Sequence, residues 1–306
     1  MASDLARVSG LAKRVGDRDR YGFFPRTVSP GRDCAHRLEG VRSFAVLSSI
    51  RRAFASRQRQ APTAPSRSPS LIYAVGDVHG RSDLLGALLR VLEADAARAG
   101  EPATLIFLGD LVDRGPDSAG VVARVCALRD SGLWAGVEAL KGNHEDAMLL
   151  FLEDATFGPT WTQHGGGATL ASYGVAPPVG RADAAVWEAT RLAFREALPP
   201  AHLAFLQGAN LSLVRGDYVF VHAGVRPGVT LEDQDPHDLM WIRQDFLSSR
   251  RACDKVVVHG HTPTEAPELE PWRIGVDTGA YATGTLSAVR LTGADRAILQ
   301  ARAERA

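Results

Sequence analysis

The sequence predicts an α/β fold, and three observations predict it. From Leu71 onward, short continuous apolar runs alternate with segments of helical period. Three successive runs, LIYAV (71–75), TLIFL (104–108) and the one at 137–140, each end in a polar cluster. Further strand-like runs return at 211–224, 255–263, 272–280 and 285–291 after a less regular stretch. In an α/β sheet the carboxyl ends of the strands meet along one edge, and ligands bind there.

The first run stops at Gly76-Asp77-Val78-His79-Gly80. Side chains two apart on extended chain share a face, so the Asp77 carboxylate and the His79 imidazole can reach one cation. Ser82 is the expected N-cap of the next helix, whose apolar side is Leu84, Leu85, Leu88, Leu89 and Leu92. The second run leads into Gly109-Asp110-Leu111-Val112-Asp113-Arg114-Gly115-Pro116, and a helix is expected over 118–128. The third leads into Lys141-Gly142-Asn143-His144-Glu145.

Residues 154–210 hold a Gly-rich turn, QHGGGATLASYG, and a helical run from Ala184 to Ala197, and read as an insertion covering the strand ends. Gly216-Asp217 between apolar runs is a hairpin signal, and His222 lies just past the second of those runs. The expected organisation is a basic, disordered arm and linker over 1–70, one domain over 71–292, and a tail over 293–306 whose residues, GADRAILQARAERA, favour a weakly docked helix.

Charge divides the 306-residue chain unevenly although its formal net charge is +0. Residues 1–70 carry 14 Lys+Arg against 5 Asp+Glu, and the remainder 21 against 30. Within the arm, Phe44, Leu47, Ile50 and Phe54 fall near helical spacing among arginines, which fits a short solvated helix or a basic amphipathic one touching a partner or membrane. The three cysteines, Cys34, Cys126 and Cys253, have no paired spacing, so a reducing compartment and ordinary thiols are expected. No apolar run approaches the ~18 residues of a membrane span, and the N-terminus lacks a secretory apolar core. A soluble, cytoplasmic protein is the expectation.

Six residues at or just beyond strand ends form a candidate ligand set: Asp77, His79, Asp110, Asn143, His222 and His261. Each alone is an ordinary turn former, cap or core histidine; together their placement calls for a cause. Hard oxygens mixed with imidazoles, without thiolate, suit manganese, iron or zinc rather than a structural zinc clamp. Six ligands exceed one open catalytic ion and suit two ions about 3.5–4 Å apart, an arrangement that hydrolyses phosphate esters. His259, two residues before His261, is expected to face the strand's packing instead.

The ordered motifs GDVHG, GDLVDRGP, GNHE, VHAG and GHTP resemble the phosphoprotein phosphatases among the calcineurin-like dinuclear metallophosphoesterases, closest to the bacterial and phage-type branch, over roughly 71–292. The resemblance implies two central β-sheets flanked by helices, an αββα sandwich. It implies two divalent ions, manganese foremost. Asp77, His79 and Asp110 would hold one; Asp110 as bridge, with Asn143, His222 and His261, would hold the other. The wider superfamily often has a second histidine two positions after the one in this Gly-His motif; here it is Pro263, which leaves more of the first ion to water. Arg114 and Arg243 would grip phosphate oxygens. His144, oriented by Asp113, would protonate the leaving oxygen while a hydroxide held between the ions attacks phosphorus directly, with no phosphoenzyme.

Two branches of the family fit these ligands. Symmetrical dinucleoside tetraphosphate hydrolases typically replace the aspartate of DRG and follow GNH with aspartate, whereas this chain keeps Asp113 and Glu145. Hydrolysis of phosphoserine or phosphothreonine is therefore the expected activity, on a phosphorylated protein or a small phosphoester. A module that holds metal and phosphoprotein without turnover is the alternative of another class, and intact His144 and Asp113 argue against it. Nucleic acid is not an expected partner, since only the arm's charge argues for it.

Overall fold

The computed structural model describes residues 65–303. The expectations for the arm, including the helix around Phe44 and Phe54, and Cys34 lie outside the described residues. Two five-stranded sheets form the body, ordered β10-β9-β1-β2-β3 and β4-β5-β6-β8-β7. The strands of the first are β1 (Ser68–Val75), β2 (Ala103–Phe107), β3 (Gly136–Ala139), β9 (Thr285–Gly293) and β10 (Asp295–Arg302). Those of the second are β4 (Ser212–Arg215), β5 (Tyr218–Val221), β6 (Val256–His259), β7 (Glu268–Leu269) and β8 (Arg273–Gly275).

Period-two alternation explains how the sheets stack. Ile72 and Ala74 of β1 and Val289 and Leu291 of β9 meet Tyr218 and Phe220 of β5, Val256 and Val258 of β6 and Ile274 of β8 in one buried cluster. Each such Val, Leu or Ile contributes about 1.5–3 kcal/mol of transfer free energy. The opposite face of the second sheet, Val219, Val221 and Val257, buries against Leu239, Ile242 and Phe246 from the short helices Pro236–Trp241 and Gln244–Leu247. The expected sandwich of two sheets flanked by helices is therefore present.

Helix α1 (Ser82–Ala99) connects β1 to β2 and buries Leu84, Leu85, Leu88, Leu89 and Leu92. It begins at Ser82 itself, after Arg81, with no side-chain cap; the expected serine cap does not form. Helix α2 (Ser118–Asp130) connects β2 to β3, and the Asp117 carboxylate caps it by accepting the Gly120 N–H at 2.8 Å. Among the described residues no helix is long and apolar enough to cross a membrane.

Parallel register sets the functional edge. Val75 pairs with Phe107 and Phe107 with Ala139, so β1, β2 and β3 end side by side. In the second sheet Phe220 pairs with Val258 and His259 with Gly275, bringing the residues that follow β5, β6 and β8 together as well.

Three segments differ from expectation. β1 begins at Ser68, so the arm gives way to the sheet sooner than residue 70. The terminal stretch is strand β10, paired with β9 from Asp295–Thr292 to Arg302–Thr285, although its Ala, Leu, Gln and Arg residues favour helix. Eight residues of ladder beside α1 outweigh that weak intrinsic preference, and the turn at Gly293-Ala294 supplies the reversal. The Gly-rich run expected as a turn is helical over Thr162–Gly166 and Gly167–Ser172, broken at Gly165 by a φ of 112°. The rest of 154–210 holds α4 (Ala184–Ala197) and α5 (Pro200–Gln207) after α3 (Asn143–Glu153).

Candidate active site

The turns after the strands are strained in one place only. Among the described residues, five non-glycine residues have positive φ: His79 (44°), Asp110 (51°), Asp113 (73°), Arg114 (67°) and His261 (64°). All five are residues that the motifs single out. Such conformations cost about 1–3 kcal/mol each and persist only where their surroundings over-determine them. The loop after β1 is tied to the loop after β2, for the N–H groups of Val78 and His79 both donate to the Asp110 carbonyl, at 3.1 and 2.8 Å. Gly109, at φ 101°, passes so close to the third loop that a Cβ there would lie 2.6 Å from Gly142 N and 2.9 Å from His222 Nδ1.

Two groups of imidazole and carboxylate donors form, and Asp110 belongs to both. His79, Asp110 and His144 have donor atoms within 4.8 Å of one another, as do Asp110, His222 and His261. His79 Nε2 lies 3.5 Å from Asp110 Oδ2, and His222 Nε2 lies 3.4 Å from Asp110 Oδ1. Asn143 Oδ1 joins the second group, 3.0 Å from His222 Nε2 and 2.9 Å from His261 Nδ1. His79 Nδ1 donates to the Val112 carbonyl at 2.9 Å and His222 Nδ1 to the Leu108 carbonyl at 2.8 Å, so the Nε2 of each is left to a ligand. This is the outer arrangement that metal-binding histidines adopt. Asp77 stands outside both groups, with its carboxylate accepting the His261 N–H at 3.1 Å. His259 packs edge-on against Phe246, as its position in the strand led one to expect.

Electrostatics favour cations here. Burial and then the neighbouring Asp277 hold the Asp77 carboxyl well above the usual range. Burial alone would do the same to Asp110, but His222 and His144 outweigh it and hold that carboxyl well below. Burial lowers His222, yet Asp110 outweighs it and raises the ring to about 10. Burial lowers His79 to about 3, and it drives His261 down as well, with His222 adding to the effect. Asp77, Asp110, Asp113, Glu145 and Asp277 are all buried in this region. Buried carboxylates at this density need counter-charge, and the shared Asp110, with the Nε2 atoms of His79 and His222 both turned towards its carboxylate, fits a pair of divalent ions.

Beside the donors stands the acid pair. His144 Nδ1 donates to Asp113 Oδ2 at 2.7 Å, and His144 Nε2 lies 3.9 Å from Asp110 Oδ2. Burial lowers this ring, but Asp110 and Asp113 outweigh it and the net shift is upward. Arg114, exposed at the mouth, reaches His79 Nε2 at 2.8 Å and His144 Nε2 at 2.9 Å. Arg243, exposed on the other side, donates from Nε to His261 Nε2 at 3.0 Å. All ten expected site residues thus belong to one contact network, with Asp77 joined through the backbone of His261.

Sequence reasoning missed several participants. Glu145 accepts four backbone N–H groups, those of Asp110, Leu111, Val112 and Gly142, at 2.8–3.2 Å, and so ties the second loop to the third. It touches backbone only, so its difference from aspartate reports on loop support rather than on substrate. Trp161 and Thr169 bond Asp113 from the 154–210 segment, and Tyr281 lies 4.7 Å under the Arg114 guanidinium. No spacing marks these three in the sequence; the adjacent DTG of Asp277-Thr278-Gly279, just past an apolar run, was the one signal near Tyr281.

The calcineurin-like phosphoesterase family model matches residues 70–284, and the chain belongs to that family. It is 28% identical over 248 residues to the asymmetrical bis(5'-nucleosyl)-tetraphosphatase PrpE of Geobacillus thermodenitrificans, covering 71% of this chain and 88% of that protein. It is 28% identical over 231 residues to serine/threonine-protein phosphatase 1 of Salmonella typhimurium, covering 72% and 91%. The crystal structure of a candidate diadenosine tetraphosphatase shares the fold, with a TM-score of 0.55 at 20% identity over 78% of this chain and 95% of that one.

Proposed function

We propose that this metallophosphoesterase is a phosphoserine and phosphothreonine phosphatase that uses two divalent ions, manganese foremost. The observation that carries the reading is Asp110, common to two donor groups and 3.9 Å from the imidazole of the His144–Asp113 pair. Asp77, His79 and Asp110 would hold one ion, and Asp110, Asn143, His222 and His261 the other. When bound, the ions supply a nucleophilic water and neutralise charge on the phosphoryl group.

The remaining chemistry belongs to the side chains. Arg114 and Arg243 turn outward from the histidines to grip non-bridging oxygens, each guanidinium presenting two donors at once. As Arg114 leaves His144, Nε2 is freed to carry the proton. As the bond from phosphorus to the leaving oxygen breaks, that proton passes to the oxygen, and Asp113 holds the ring's other nitrogen throughout. Water supplies the new oxygen on phosphorus, so no side-chain nucleophile is required. The exposure of both arginines at the mouth supports a phosphate presented on a protein surface.

A second reading, hydrolysis of dinucleoside tetraphosphates, is favoured by the name of the Geobacillus relative. The residues of the site favour the first, because Asp113 is kept. Phosphate release from phosphoserine and phosphothreonine peptides, and cleavage of a dinucleoside tetraphosphate, should be measured on the purified chain with manganese, iron or zinc. A higher kcat/KM on the peptides is expected. A higher value on the tetraphosphate overturns the protein-phosphatase reading, and no turnover of any phosphoester with metal bound leaves a binding module.

A further inference from the structure

We infer that Trp161 and Thr169, contributed by the 154–210 segment, are positioning residues that lock the Asp113 carboxylate and through it orient His144 as the proton donor. The inference rests on the acid role proposed above for His144 and Asp113.

Asp113 is fully buried, and both of its carboxylate oxygens are engaged. Oδ2 accepts from His144 Nδ1 at 2.7 Å and from the Trp161 indole N–H at 2.9 Å. Oδ1 accepts from the Thr169 hydroxyl at 2.6 Å. The same hydroxyl oxygen accepts the Asp113 N–H at 2.9 Å, and the Ser118 hydroxyl lies 2.9 Å away to complete its bonding. Thr169 therefore grips both ends of the residue, backbone and carboxylate, at a position whose φ of 73° is unfavourable for aspartate.

The grip is rigid because its supports are packed. Trp161 is 1% exposed, with ring centroids 5.1 Å from Phe151 and 5.7 Å from Phe194, so the direction of its N–H is set by an aromatic cluster. Gly165, between the two residues, accepts the Arg114 N–H at 3.2 Å and lies so flush that a Cβ there would sit 2.8 Å from Arg114 N. Neither Trp161 nor Thr169 is exposed enough to touch substrate. Their effect on cleavage runs through Asp113. With both donors in place, the carboxylate has one orientation and the imidazole one direction in which to present Nε2. With either removed, the carboxylate can rotate and proton delivery to the leaving oxygen is impaired.

The test uses the full chain and the variants Trp161→Phe, Thr169→Val, Thr169→Ser and His144→Asn, each checked for manganese content and thermal midpoint. Loss of an acid hurts poor leaving groups most, because a good one departs unprotonated. Trp161→Phe and Thr169→Val should therefore lower kcat on a phosphoserine peptide by about ten-fold while costing less than about three-fold on p-nitrophenyl phosphate. Thr169→Ser should restore the peptide rate, and neither substitution should cost more on a His144→Asn background, since the pair acts as a unit. Equal loss on both substrates, or additive loss on that background, overturns the inference. If Trp161→Phe fails to fold, Thr169→Val decides. A wild type without turnover refutes the phosphatase reading instead. The positioning claim is then decided by the downfield Nδ1–H resonance of His144, which moves in Thr169→Val if the claim holds and stays if it does not.

Discussion

Glu145 accepts the backbone N–H of Asp110 at 2.8 Å, a carboxylate from the third loop fastening the strained residue at the centre of the second. The same side chain takes the N–H groups of Leu111 and Gly142 at 2.8 Å, and it is 1% exposed. Glu145→Ala leaves these donors buried without partners and opens space between the loops. Hydrogen bonds to a charged group are worth about 1.5–3 kcal/mol each, and part is recovered by relaxation and water, so a loss of about 3 kcal/mol is expected. Urea midpoints of the metal-free chain measure it. A loss below about 1 kcal/mol means the loops hold their shape without the carboxylate.

Asp110 and Asn143 should behave differently towards metal. Asp110 lies within 4.8 Å of the donor atoms of both groups, whereas the Asn143 amide touches only His222 and His261. Asp110→Asn should weaken manganese binding at both sites by more than about 100-fold, and Asn143→Ala should weaken one site. Titration calorimetry on chelator-stripped protein reads this as two transitions lost against one. Two intact transitions in Asp110→Asn would show that the carboxylate is not shared.

Much of this site was legible because its residues sit where chain geometry forces exposure of chemistry. Asp77, Asp110 and Asn143 follow apolar runs directly, and parallel pairing of β1, β2 and β3 lines those run ends up. His144 beside Asn143 and Asp113 beside Arg114 were legible for the same reason. Trp161, Thr169 and Tyr281 were not, because each acts through a contact that only tertiary packing creates. β10 was hidden by helix-forming residues whose preference, a few tenths of a kcal/mol each, yields to pairing with β9. The support given by Glu145 to the Asp110 loop was hidden because a buried carboxylate bonded only to backbone has the same letter as a surface one.

His259 gives the fold an acid sensitivity separable from the ligands. It is 1% exposed, and burial lowers it from 6.5 to about 4, with its contact to the Gly260 carbonyl offsetting a part. The unfolded chain takes up the proton at the ordinary value while the folded chain refuses it. Stability from this residue is therefore intact above about pH 6.5 and falls as pH drops towards 4, by about 3 kcal/mol in all. His259→Leu keeps the contact with Phe246 and removes the titration. The difference in urea midpoint between variant and parent should grow across that window in favour of the variant, and a constant difference would place the acid loss elsewhere.

Tyr281 should matter chiefly through Arg114. The guanidinium carbon lies 4.7 Å from the centroid of the ring, whose edge-on contact with His79 is at 5.3 Å, and the tyrosine is 40% exposed at the mouth. A cation over an exposed aromatic face gains about 0.5–1 kcal/mol, and holding Arg114 near the phosphate position spares ordering on binding. Tyr281→Leu should therefore raise KM for p-nitrophenyl phosphate and the inhibition constant for inorganic phosphate together, by about three- to five-fold. Metal content should stay unchanged, because the ring bonds no donor atom of the site. Tyr281→Phe keeps the face and should leave both constants near the parent values. A rise in KM for Tyr281→Phe equal to that for Tyr281→Leu would instead make the hydroxyl a substrate contact and remove the ring's hold on Arg114 from the account.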